Sequence, residues 1–231
     1  MNRRKKTMTD IVLASNNRKK IAELETLLEK CASKTISIKT LRDIGYTNEI
    51  VEDGSSFEEN SLIKAATPAK LGYIGIADDS GLCVDFLGGK PGIYSARYSG
   101  EGANDELNRK KLLRELEGVT ENERGAEFVC TVSLVLPENS SYVIPKEWRI
   151  SAELSEKSGI PSERAMVVRG ICRGVILTEE HGDGGFGYDP LFYFTEFDGT
   201  FAEISQDKKN SVSHRGRAMS EFIEKLTKVL A

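Results

Sequence analysis

Asp10-Ile11-Val12-Leu13-Ala14-Ser15-Asn16-Asn17-Arg18-Lys19-Lys20 decides the fold class. Ile11 to Ala14 is an apolar run of buried-strand length. Asn16-Asn17 is a turn signal. Beyond it Ile21, Leu24, Leu27, Leu28 and Cys31 recur at helical spacing. The chain therefore opens strand, polar loop, helix.

Working outward, Ser56 and Glu59 have capping-box spacing and start a second helix through Phe57, Ile63 and Ala66, which Pro68 should kink or end. Gly75-Ile76-Ala77 reads as a strand that stops at Asp78-Asp79-Ser80-Gly81, and Leu82 to Phe86 is apolar again. A glycine-bearing loop covers Gly88 to Gly102. Asn104 or Asp105 caps a helix with Leu107, Leu112, Leu113 and Leu116, ended by Gly118. Phe128 to Leu136, Tyr142 to Leu154 and Ala165 to Leu177 are predicted strands, the last two flanking a polar insert, Ser155 to Glu163. Leu191 to Phe194 is a short strand, and a final helix runs from Ser213 to Leu230. Helices early, strands in the middle and a helix last predict an α/β or α+β chain around one mixed sheet.

The bulk composition excludes several classes. The 231 residues carry a net charge of −4, with 39% hydrophobic and 29% charged residues. A strongly basic nucleic-acid binder would look different, and no apolar run is long enough to cross a membrane. Residues 1–8, with Arg3-Arg4-Lys5-Lys6, read as a solvated basic tail ahead of one domain over residues 9–231, because Ile11 to Ala14 is too short for a secretory signal. Cys31, Cys83, Cys130 and Cys172 show no metal spacing and read as buried, reduced thiols of a cytoplasmic protein.

Four segments could carry chemistry. The loop Ser15, Asn16, Asn17, Arg18, Lys19, Lys20 opens a helix, whose first N–H groups lack internal partners and attract phosphate. The plain alternative is a cap with solvated lysines. At Asp78-Asp79 either carboxylate could hold Mg²⁺, which takes hard oxygen ligands alongside phosphate; the alternative is an Asx turn. Glu49, Glu52 and Asp53 form a second acidic cluster or a solvated loop. Gly182-Asp183-Gly184-Gly185-Phe186-Gly187-Tyr188-Asp189-Pro190 contains G-x-G-x-x-G, but a strand follows instead of a helix, so it is no dinucleotide fingerprint. Its aromatics suit stacking on a planar base, or are core. Lys208-Lys209-Asn210-Ser211-Val212-Ser213-His214-Arg215-Gly216 puts cations at a helix start, where they are unfavourable unless an anion intervenes; otherwise it is an exposed basic turn. His181 reads as solvent-facing.

In register, these segments resemble the inosine triphosphate pyrophosphatase family, the XTP/dITP diphosphatases, and in particular its bacterial branch. Phe57-Glu58-Glu59-Asn60-Ser61-Leu62-Ile63-Lys64-Ala65 is similar to the family's F-x-E-N-A-x-x-K-A helix. Ala77 to Leu82, Pro91 to Tyr98, Gly184 to Pro190 and Ser213 to Gly216 match nearly letter for letter. The resemblance covers almost the whole chain from Met8.

It implies a two-lobed α/β fold with an elongated mixed sheet, the nucleotide in the cleft between lobes, and a homodimer. It implies Mg²⁺-dependent hydrolysis of ITP, dITP and XTP to the monophosphate and pyrophosphate. Ser15 to Lys20 and Lys64 would hold the triphosphate. Asp79 would bind the metal and accept the proton of the attacking water, and Ser80 would touch substrate. Phe186, Gly187, Tyr188, Asp189, Lys209, His214 and Arg215 would form the base pocket. The second metal acid falls on Glu52, with Glu49 and Asp53 as alternatives. Two departures stand out: Ser15-Asn16-Asn17 replaces the family's Thr-Gly-Asn, and the insert Ser155 to Glu163 has no counterpart role. Two rival readings are a house-cleaning pyrophosphatase for modified pyrimidines, like the Maf group, and a nucleotide or nucleic-acid binder without catalysis.

Overall fold

The computed structural model describes residues 9–15, 21 and 36–231. The predicted basic tail, Asn16 to Lys20 and all of the predicted first helix except Ile21 lie outside them. The fold is α/β. Seven strands run in the sheet order β2-β1-β3-β4-β5-β6-β7, with β1 Thr9–Leu13, β2 Ile36–Thr40, β3 Ile74–Val84, β4 Gly125–Val135, β5 Ala165–Ile176, β6 Phe192–Phe194 and β7 Gly199–Thr200. The sheet is mixed: β1 pairs parallel with β2 and β3, while β6 pairs antiparallel with β5 and β7. Among the described residues no helix is long and apolar enough to cross a membrane.

The chain divides into two compact units. The first comprises the described part of Met1–Asp79 with Thr131–Val168 and Met219–Ala231. Its helix α1, Phe57–Lys70, starts at Ser56, whose side chain accepts from the Glu59 N–H at 3.1 Å. Glu59 does not close the box onto Ser56; its carboxylate takes the Ser55 N–H and hydroxyl instead. Pro68 lies in the last turn, and the helix ends two residues later. Small residues let α1 lie against β3, so closely that a Cβ on Gly75 would stand 1.9 Å from the Ala65 carbonyl oxygen. Buried hydroxyls tie α1 to β4: Thr131 donates to the Phe57 carbonyl at 2.9 Å, and Ser61 and Ser133 share a hydrogen bond of 2.6 Å. Leu62, Ala65, Ala77 and Val135 belong to this unit's apolar core.

The second unit comprises Ser80–Cys130 and Arg169–Ala218. Helix α2, Asp105–Glu115, is capped by Asn104, whose side chain accepts from the Leu107 N–H at 2.9 Å. The core is aromatic. Phe128, Phe192, Phe194 and Phe201 pack with neighbouring centroids 4.6 to 5.9 Å apart, and each buried ring stabilises the fold by about 1.5–3 kcal/mol. Buried Arg124 donates to the Leu116, Ile176 and Leu177 carbonyls, so one guanidinium joins the end of α2 to the end of β5.

Four sequence expectations are corrected. The strand predicted to stop at Asp78 runs on through Asp79, Ser80 and Gly81 to Val84, because sheet pairing and burial override turn-forming residue types. Tyr142 to Leu154 is not a strand. Ser151 caps a helix α3, Ala152–Ser158, and its side chain accepts from the Leu154 N–H. The insert is therefore the end of α3 plus a 3₁₀ turn at Ser162–Arg164. Lys208 and Lys209 are not at the start of the last helix. They lie inside a separate helix α4, Gln206–Val212, capped by Ser205. Extended Ser213 (φ −65°, ψ 157°) breaks the chain before α5, His214–Val229.

Candidate active site

Within the first unit the sequence-predicted groups meet at Lys64. The residue is on the buried face of α1, and its Nζ donates to Glu52 Oε2 at 2.8 Å and to Asp79 Oδ1 at 3.0 Å. Asp79 comes from the middle of β3 and is 9% exposed; neighbouring Asp78 is 2% exposed. Burial opposes the charge on Lys64, but the carboxylates of Asp79, Asp78 and Glu52 outweigh it and hold its pKa above the ordinary 10.5. Lys64 is therefore an ammonium at neutral pH.

Of the three candidate acids before α1, Glu52 is half-buried and bonded to Lys64, whereas Glu49 and Asp53 are exposed. The Glu52 loop is fastened to α1 by Asn60, whose side-chain oxygen accepts from the Gly54 N–H at 2.9 Å. A Cβ on Gly54 would stand 2.7 Å from that same oxygen. No group of three or more His, Cys, Asp or Glu among the described residues is clustered to cage a metal unaided. Two carboxylates sharing one ammonium instead suit a cation that completes its shell with phosphate oxygens and water. Ser15 is half-buried just beyond β1. Asn16, Asn17, Arg18, Lys19 and Lys20 lie outside the described residues.

Within the second unit a second set converges. Lys209, from α4, bonds Asp189 Oδ2 at 2.6 Å with both side chains almost fully buried, and the same carboxylate oxygen accepts the Phe186 N–H at 2.8 Å. Gly185, at φ +71°, has no room for a Cβ, which would stand 2.2 Å from Asp189 Oδ2. The Phe186 ring faces Lys209 Nζ at 4.8 Å and Arg215 Cζ at 5.8 Å, distances at which a cation interacts with the π face. Arg215 reaches Ser80 Oγ at 3.5 Å. His214 stacks on Phe128 at 4.7 Å.

Two of the named loop residues have other partners. The Tyr188 ring is core, and its hydroxyl donates to the Ser95 carbonyl at 2.9 Å; burial pushes its pKa well up, so it stays a donor. Gly187 has both backbone groups bonded to α2, through Asp105 and Arg109. Sequence reasoning missed Asp105 and Arg109 as loop partners, offering Asp105 only as an alternative to Asn104 for the cap. The available signal was their spacing of four, which puts them on one helix face. The 91–98 motif also gains a purpose, since Ser95 both accepts from Tyr188 and holds the Leu82 N–H through its hydroxyl at 2.9 Å.

The pattern that describes the Ham1 family matches residues 11–225. The chain belongs to the Ham1 family. This Ham1 chain is 43% identical over 216 residues to a dITP/XTP pyrophosphatase of Bacillus licheniformis, covering 93% of the chain and 96% of the relative. It is 46% identical over 213 residues to a dITP/XTP pyrophosphatase of Desulfotalea psychrophila, covering 92% and 82%. The solved structure of a HAM1 protein from Coxiella burnetii matches with a TM-score of 0.79 at 35% identity, over 96% of the Ham1 chain and all of that chain. The Staphylococcus aureus Ham1 protein matches with a TM-score of 0.77 at 35% identity, over 95% and 99%.

Proposed function

We propose that this Ham1-family chain hydrolyses deaminated purine nucleoside triphosphates (ITP, dITP and XTP) to the monophosphate and pyrophosphate with Mg²⁺. The observation that carries the reading is Lys64 held by both Glu52 and Asp79 in a buried corner of the first unit. That set supplies a cation for a polyphosphate and two hard oxygen donors for a divalent ion. The names of the relatives support the substrate class.

Glu52 and Asp79 would hold Mg²⁺, which when bound supplies positive charge against the triphosphate. Ser15 to Lys20 and Lys64 bind the phosphate tail. Asp79 accepts a proton from a water whose oxygen attacks the α-phosphorus. The bond from that phosphorus to the bridging oxygen breaks, and pyrophosphate leaves with the bond's electron pair. Asp79 ends β3's contribution to the first unit and Ser80 begins its contribution to the second.

There Phe186 offers its face to the purine. Lys209 or Arg215 donates to the 6-keto oxygen, and Asp189 accepts from N1–H. Adenine presents the opposite pattern and would leave buried polar groups unsatisfied, a mismatch that can discriminate by roughly 10⁴-fold. His214, Gly187 and Tyr188 complete the pocket's frame. The resemblance also implies a homodimer, which light scattering would report as twice 25.5 kDa.

The test is pyrophosphate release by Asp79→Asn across a panel of triphosphates, with and without Mg²⁺. Wild type is expected to prefer dITP and XTP over dATP, dTTP and UTP. Asp79→Asn is expected to lose about 10²–10⁴-fold in kcat while still binding dITP. Equal turnover of dITP and dTTP would refute the substrate class, and near-wild-type kcat in the variant would refute the mechanism.

A further inference from the structure

We infer that Asp105 and Arg109, two helix residues outside the base pocket, are positioning residues that fix the Phe186–Gly187 peptide and so set the grip of Phe186 on the purine. This deepens the purine-pocket reading above and rests on it. Gly187 N–H donates to Asp105 Oδ2 at 2.8 Å, and Arg109 Nη1 donates to the Gly187 carbonyl at 2.8 Å. The two side chains stand one turn apart on α2, so one helix face holds both polar atoms of one residue with charge-assisted hydrogen bonds. Arg109 Nε also pairs with Glu180 Oε1 at 2.9 Å, just before the glycine loop begins. Asn104 already caps α2, which leaves the Asp105 carboxylate for the loop.

The consequence falls on Phe186. Its own N–H is held by Asp189 and the next N–H by Asp105. Rotation about either backbone torsion of Phe186 breaks one of these bonds, so the direction of its Cα–Cβ bond, from which the ring reaches Lys209 and Arg215, is fixed. The neighbouring sequence does not provide that rigidity. Gly182, Gly184, Gly185 and Gly187 surround Phe186 with the residue type that has most backbone freedom to lose, and Gly187 sits at φ +61°. A flexible glycine needs an external hold to keep one conformer, and α2 provides it. Asp105 and Arg109 act on the backbone atoms of Gly187, next to the ring that would meet the base. Their influence therefore passes through Phe186, and it belongs to binding, which raises KM without lowering kcat when lost.

The experiment is steady-state kinetics with dITP on wild type, Arg109→Ala, Asp105→Ala and Asp105→Asn, each also combined with Phe186→Ala. Arg109→Ala and Asp105→Ala are expected to raise KM about tenfold with kcat within about twofold. Asp105→Asn keeps an oxygen that can accept from Gly187 N–H and is expected to restore KM to within about threefold of wild type. In the Phe186→Ala background, removing Asp105 or Arg109 is expected to leave KM where Phe186→Ala alone puts it. Three results would each overturn the inference: unchanged KM in both alanine variants, Asp105→Asn no better than Asp105→Ala, or KM increases that multiply with Phe186→Ala. Should Arg109→Ala not fold, the Asp105 pair decides alone. A wild type that fails to favour dITP over dTTP sinks the substrate reading instead. Coupling to Phe186, measured on whichever triphosphate is then turned over, still decides the positioning role.

Discussion

Lys209→Met strands a buried charge, and the size of the damage follows from the structure. The ammonium lies 2.6 Å from Asp189 Oδ2, with side chains 6% and 3% exposed, and 5.4 Å from the centre of the Phe201 ring. Methionine keeps the length and the apolar stem but leaves Asp189 Oδ2 with the Phe186 N–H as its remaining bond in that corner. Breaking a buried pair from one side costs about 3–5 kcal/mol. For a chain of this size each kcal/mol moves the melting temperature by ~2–4 °C, so Tm should fall by roughly 6–20 °C. Lys110→Met is the control: its partner Glu106 is at 2.5 Å, but the two side chains are 65% and 64% exposed, and such a surface pair is worth about 0.2–1 kcal/mol. The decisive arm is Lys209→Met combined with Asp189→Asn. An uncharged amide still accepts from Phe186 and no longer needs a counter-ion, so the double variant should regain most of the loss. Thermal and urea unfolding measure these four proteins and Asp189→Asn alone, which completes the cycle. A loss under about 1 kcal/mol in Lys209→Met, or additive losses in the double variant, would refute the argument.

Two further outcomes follow from packing and from burial. Gly75→Ala should destabilise by about 1–3 kcal/mol or more, because the new methyl would stand 1.9 Å from the Ala65 carbonyl and 2.9 Å from Pro68 Cγ; an unchanged unfolding midpoint would contradict this. Burial pushes the Cys83 and Cys172 thiols up to about 11, so about a thousandth of either is thiolate at pH 8. Iodoacetamide should leave buried Cys172 unmodified and modify half-buried Cys83 only slowly in the native protein at pH 8, and alkylate both once urea unfolds it; rapid native labelling of either, read by peptide mass spectrometry, would contradict the raised pKa.

Residue types and spacing gave the chemical groups of the site, and the family resemblance assigned Lys64, Glu52 and the base-pocket residues among them. Acids for a hard cation, lysines for an anion and an aromatic-glycine loop are chemical statements, and Lys64, Glu52 and Asp79 do meet in the first unit. Asp189, Lys209 and Phe186 likewise meet in the second. The errors came where a local signal competed with a distant partner. Asp78-Asp79-Ser80-Gly81 looks like a turn by residue type, but sheet pairing carries β3 straight through it. Lys208 and Lys209 look like the start of the last helix, but Ser205 caps a separate helix around them and Asp189 draws Lys209 inside.

The sequence by itself narrowed the class to α/β or α+β, placed the cap at Ser56, narrowed the next cap to Asn104 or Asp105, and supplied the inventory of chemical groups, because strand and helix periodicity and capping act over only a few residues. Tertiary structure alone decided which acid shares Lys64, how Lys209 is neutralised and that α2 holds Gly187. Those outcomes join positions 12 to 82 residues apart, where contact depends on how strands and helices pack, and no local spacing encodes that.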